Sequence, residues 1–83
     1  MITSAQIRAA RGLLKWTQAT LAARAATSIV TLNMIENDSV TPRASTLDGI
    51  QRALEAAGVE FLGEGGSGLG VRFMPRVERR IRR

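Results

Sequence analysis

Between Thr17 and Glu36 the chain fits two short helix-forming runs separated by a two-residue break. That stretch restricts what the rest can fold into. Thr17 is an N-cap candidate, because its hydroxyl can accept a hydrogen bond from an orphan N–H of the next turn. Leu21, Ala22 and Ala25 then recur at helical spacing and share one face. Thr27 and Ser28 interrupt the run. Ser28 is a second N-cap candidate, and Leu32 and Ile35 fall three apart on the inner side of the following helix. Ala22 counts for its size, since two helices that cross closely leave no room there for more than a methyl group. The pattern predicts one helix over 18–25 and another over 28–36, packed across a tight turn.

The flanks extend the pattern. Thr3 or Ser4 caps a first helix reaching Leu14, and Gln6 stands three after Thr3 as in a capping box. Ile7, Ala10, Leu13 and Leu14 form its apolar stripe, and Gly12 weakens its end. An apolar residue, Trp16, precedes Thr17, and its ring is expected over the edge of the core. After Glu36, Asn37, Asp38 and Ser39 form a turn cluster, and Pro42 steers Thr41 away from helical backbone. A fourth helix begins near 43–45 and reaches Ala57, with Leu47, Ile50, Ala53, Leu54 and Ala57 inward and Gly58 at its C-terminal cap. Gly49 inside it either weakens the helix or admits a close neighbour.

Beyond Gly58 the apolar period falls to two. Residues 59–62 and 69–74 predict two strands joined by the glycine-rich stretch 63–68. Val59, Phe61, Val71 and Phe73 then make one apolar face. An isolated hairpin is marginal in water. It must dock on the helices, pair with a second subunit, or do both, and edge-to-edge pairing of two hairpins yields a symmetric dimer. Pro75 ends the second strand, and Arg76 to Arg83 form a basic tail with Val77 and Ile81 four apart.

This ordered set resembles the lambda-repressor-like, Cro/C1-type (XRE) helix-turn-helix regulators. The matching residues are Gln18, Leu21 and Ala22, then Ser28, Leu32, Ile35 and Glu36. Upstream they are Ile7 to Arg11 with Leu13 and Leu14. Downstream they are Thr41, Pro42, Arg43, Thr46, Leu47, Ile50, Ala53 and Leu54. The resemblance spans residues 3–60 and implies a helix-turn-helix domain of four to five helices, to which the period change after Gly58 adds a short C-terminal β-hairpin, a mainly α fold overall. The chain is thus expected to divide into a helix-turn-helix domain over 1–58, a hairpin over 59–74 as dimerisation element, and the tail over 75–83.

The resemblance also implies a function: a bacterial or phage-type transcriptional regulator, a homodimeric repressor bound to an inverted repeat of double-stranded DNA, in the cytoplasm at the nucleoid and without a cofactor. In such a motif the second helix enters the major groove. Asn33 then faces a base edge, adenine being its favoured bidentate partner, and Ile29 and Val30 face thymine methyls. Ser28 and Thr31 contact base or phosphate. Gln18 contacts a phosphate at the start of the 18–25 helix, helped by Thr17, and Arg43 does the same at the start of the fourth helix. Val59, Phe61, Val71 and Phe73 are the expected dimerisation residues. Glu36 takes the family's structural acidic position. Two departures stand out. Ala26 occupies the turn position where the family carries Gly, followed by Thr27 where it carries a larger aliphatic residue, and the 28–36 helix has neither Lys nor Arg.

Composition narrows the alternatives. The 83 residues include no Cys, His or Tyr, so disulfides, the commonest zinc ligands and the commonest neutral-pH base are missing. No apolar run approaches the roughly 20 residues of a membrane span, and Met1 to Ser4 lack a signal-peptide pattern. The 63–68 stretch is not followed by a helix with a Lys-Ser/Thr signature, which argues against a phosphate loop. No carboxylate pair or activated nucleophile suggests an enzyme. Residues 1–63 hold six cationic and five anionic side chains, whereas residues 64–83 hold six and two. The positive charge is thus concentrated in the tail, where phosphate neutralisation is the natural use and a solvated terminus the plainer one. The 28–36 helix, without a cation, leaves a second function open: a protein-interaction module of antitoxin or anti-activator type that uses Ile29, Val30 and Met34 as an apolar patch.

Overall fold

A computed structural model describes residues 1–63 and 68–75. The elements run α1 (Ser4–Leu14), α2 (Gln18–Arg24), α3 (Ile29–Glu36), α4 (Ala44–Ala56), β1 (Val59–Leu62) and β2 (Gly70–Phe73). The glycine-rich residues 64–67 and the basic stretch 76–83, with the four-apart Val77 and Ile81, lie outside the described residues.

Each of the first three helices starts on a hydroxyl cap. Thr3 accepts from the Gln6 N–H at 3.2 Å while the Gln6 side chain accepts from the Thr3 N–H at 2.9 Å, a complete capping box. Thr17 accepts from Thr20 and Ser28 from Thr31, at 3.1 and 3.0 Å. Ile2 and Ile7 occupy the two positions of a hydrophobic staple around the Thr3 cap, and both are buried. Trp16 and Leu21 hold the same two positions around Thr17, with Trp16 packed against the core as expected.

The same three helices also end alike. The N–H groups of Trp16, Thr27 and Ser39 reach back to the carbonyls of Arg11, Ala22 and Met34 at 3.0, 2.9 and 2.9 Å. The residue before each donor is left-handed: Lys15 (φ 58°), Ala26 (φ 56°) and Asp38 (φ 61°). These are Schellman closures built without glycine. The turn between α2 and α3 therefore keeps the left-handed geometry even though Ala26 must adopt it.

The core contains Ile2, Ile7, Ala10, Leu21, Ala22, Leu32, Ile35, Leu47, Ile50, Leu54 and Val59. α2 packs on α3 and on α4, and α1 packs on α3 and α4. Leu13, expected inward, is exposed. The buried stripe of α1 is Ile7, Ala10 and the partly buried Leu14, and Leu13 sits about 100° round the axis from Leu14. At Gly49 an added Cβ would lie 3.4 Å from the Ala25 carbonyl oxygen, so of its two readings the close helix contact holds.

β1 and β2 pair antiparallel with Val59 opposite Phe73 and Phe61 opposite Val71. The second strand is shorter than the expected 69–74 by a residue at each end. The hairpin docks on its own helices, β1 against α4 and β2 against α1. Val59 is buried in the helical core, and Phe61, Val71 and Phe73 pack on it. At one end the Met74 N–H donates to the Gly58 carbonyl at 2.7 Å. Gly58 has φ 107°, and a Cβ there would stand 2.6 Å from the Met74 oxygen, so conformation and space both demand glycine. At the other end the buried Gln6 amide donates to the carbonyls of Leu62 and Gly70 at 2.9 and 3.0 Å. One side chain thus caps α1 and clamps the hairpin.

Candidate nucleic-acid interface

α3 buries Leu32, Ile35 and Glu36 and turns Ile29, Val30 and Asn33 outward. Ile29 is 50% and Val30 68% exposed, although both are aliphatic and lie side by side at the first turn. Ser28 is exposed and Thr31 half-buried. The Ser28 hydroxyl caps the helix and also donates to the Thr31 hydroxyl at 2.9 Å. The polar rim at the start of α3 is therefore already ordered.

Behind this face lies a buried charge. Glu36 is 3% exposed. Arg11 meets it in a two-point pair, Nε to Oε2 at 2.7 Å and Nη2 to Oε1 at 2.8 Å. The Arg11 Nη1 also donates to the Trp16 carbonyl at 3.0 Å, and Arg8 donates to the Glu36 carbonyl. Burial alone would push the Glu36 carboxyl up. The hydrogen bonds from Arg11 and Gln18 and the charges of Arg11 and Arg8 more than offset it, so the group sits below the usual carboxylate range. The same hydrogen bond to Glu36 raises Arg11 above its ordinary value against the opposing effect of burial. Both groups stay charged, and the pair pins α1 to the end of α3.

Gln18 connects this charge to the surface. Its Nε2 donates to Glu36 Oε1 at 3.0 Å, and its Oε1 accepts from Asn33 Nδ2 at 3.4 Å. Gln18 and Asn33 thus meet across the α2–α3 junction. Thr17, next to Gln18, is exposed and caps α2. Arg43 is exposed at the N-cap of α4, and its side chain makes no capping bond. The guanidinium of Arg24 lies over the Trp16 ring, 4.9 Å from its centroid.

A family model described as helix-turn-helix matches residues 7–61. The chain belongs to the Cro/C1-type helix-turn-helix family. Its α2 and α3 are the two helices of the motif, and the fold and the DNA-binding regulator class go with that membership. No curated protein sequence matches the chain. Among the described residues no helix is long and apolar enough to cross a membrane.

Several parts of this helix-turn-helix carry no local signal. Arg11 and Glu36 lie 25 residues apart, and Gln6 lies 56 and 64 residues from its two hairpin partners. Asn37, read as a turn residue, also donates to Asn33 Oδ1 at 3.4 Å. An opposite-charge pair flanking a helix-turn-helix was the only available hint, and nothing in the spacing singled out Arg11 from Arg8.

Proposed function

We propose that this helix-turn-helix protein is a sequence-specific transcriptional repressor that inserts α3 into the major groove of an inverted-repeat operator as a homodimer. The supporting observation is the outward face of α3, where Ile29, Val30 and Asn33 stand exposed beside ordered Ser28 and Thr31, with Asn33 held against Gln18. Asn33 supplies one donor and one acceptor to a base edge, and the two aliphatic side chains suit thymine methyls. Thr17, Gln18 and Arg43 supply phosphate contacts that set the register. With no cation on α3, phosphate contacts from these residues and from the tail arginines carry most of the affinity.

In this proposal the hairpin joins the subunits. Its apolar face, Val59, Phe61, Val71 and Phe73, also packs on the chain's own helices, so the joint would use the strand edges and the rims of the partly exposed rings. The site of action is the nucleoid, in the cytoplasm.

A second reading has its own observation. The exposed Ile29–Val30 pair, on a helix with no cation and its one carboxylate buried, is the kind of patch that marks a protein partner, and an antitoxin or anti-activator would use it. Replacing both by Ser separates the two. The repressor reading expects loss of operator affinity of about tenfold or more with unchanged melting temperature. Retained DNA affinity with loss of a protein partner supports the second reading instead.

A further inference from the structure

On the reading of α3 as the base-reading helix, we propose that Glu36 and Ser39 act as polarity-setting residues that fix which way round the Asn33 amide faces the DNA. A single run of hydrogen bonds crosses the site. The Ser39 backbone N–H, shared with the Met34 carbonyl, donates to Asn37 Oδ1 at 3.0 Å, and the Ser39 hydroxyl donates to the same oxygen; Asn37 Nδ2 donates to Asn33 Oδ1 at 3.4 Å, Asn33 Nδ2 donates to Gln18 Oε1 at 3.4 Å, and Gln18 Nε2 donates to Glu36 Oε1 at 3.0 Å. Three amides stand in a row, and each could be turned end for end with little change of shape. The two ends cannot. A backbone N–H only donates and an ionised carboxylate only accepts. Arg11 keeps Glu36 in that state by its two-point pair. Turning any one amide would set nitrogen against nitrogen or oxygen against oxygen, so the ends dictate the direction of all three.

The consequence falls on Asn33. One of its two N–H groups and one of its oxygen lone pairs are used inside the run. One N–H and one lone pair are left, in a fixed order. That set matches adenine, which shows N7 as acceptor and N6 as donor in the major groove, and it mismatches guanine, which shows two acceptors. An Asn free to turn could aim both N–H groups at guanine. Glu36 and Ser39 touch no base, yet they determine what Asn33 accepts.

The test is selection from randomised duplexes with the full-length protein and three variants. Asn33→Ala identifies the base position that Asn33 reads, as the one whose preference disappears. Gln18→Met cuts the run while leaving the Arg11–Glu36 pair intact, and Glu36→Gln removes the acceptor-only end. The proposal expects the wild type to favour adenine over guanine at that position by about tenfold or more. Both Gln18→Met and Glu36→Gln should reduce the ratio to less than about threefold; Gln18→Met also removes a phosphate contact, which lowers affinity for every sequence alike and leaves the relative preferences at other positions. A merely structural role would weaken all positions together. If Glu36→Gln does not fold, Gln18→Met decides alone. An adenine preference that depends on Asn33 but persists in folded Gln18→Met overturns the polarity proposal and leaves the base-reading helix standing. A wild type that selects no motif, or an Asn33→Ala variant with an unchanged motif, overturns both.

Discussion

At the residue scale the chain depends on one buried ion pair. A carboxylate as buried as Glu36 survives only because Arg11 and Gln18 satisfy it. Its pKa lies below the usual value in the folded state, so the folded protein holds this proton less tightly than the unfolded chain does. The stabilisation is therefore present above the unfolded carboxylate value, about 4.3, and is lost as pH falls through the lower folded value. Melting temperature should fall as pH drops below about 4.3. Glu36→Gln should be less stable at neutral pH and show a flatter profile over that range. An identical slope in the variant would place the acid sensitivity elsewhere. Removing Arg11 should cost about 3 kcal/mol, because it strands a buried charge.

At the element scale the helices are defined by their ends more than by their interiors. The hydroxyl caps at Thr3, Thr17 and Ser28 were legible because a cap is a local pattern, and so was the change of period after Gly58. The Schellman closures at Lys15, Ala26 and Asp38 were not, since none carries the glycine that announces one. The family's usual Gly at the position of Ala26 was the one local sign of a left-handed residue in that turn. A left-handed non-glycine residue costs about 1–2 kcal/mol, partly offset because glycine loses more freedom on folding. Ala26→Gly should therefore stabilise the protein by about 0.5–1 kcal/mol, visible as roughly 4 °C in Tm. No gain, or a loss, would mean that the Ala26 methyl makes a contact worth more than the strain.

At the scale of the whole molecule, the helices and the hairpin share one core through Val59, and Gln6 and Gly58 hold the two ends of the hairpin. The long-range ties were illegible in the sequence because they join residues tens of positions apart with no repeat or spacing to mark them. The apolar stripes of α2, α3 and α4, and the apolar face shared by β1 and β2, were legible because burial imposes periods of 3.6 and 2 on adjacent residues, whereas the pairing of Val59 with Phe73 was not. On the outward side of α3, Ser28, Ile29, Val30 and Asn33 could be named in advance as exposed, whereas Thr31 and Met34, expected with them, are half-buried, and the bond from Asn33 to Gln18 depends on how α2 and α3 cross. Assembly is a separate matter. Sedimentation over a wide concentration range should show a dimer that Phe61→Ser or Phe73→Ser weakens. A monomer at every concentration would remove the hairpin from assembly and require two subunits to meet only on DNA.

The central claim, that α3 reads DNA, is tested most directly by selecting bound fragments from a genomic pool with the full-length protein at roughly 150 mM salt. One inverted-repeat motif is expected, with half-sites centred about 10–10.5 base pairs apart, or a multiple of that, as two α3 helices on one side of the duplex require. Enrichment no better than random fragments would contradict it and make the exposed Ile29–Val30 face a protein-binding surface.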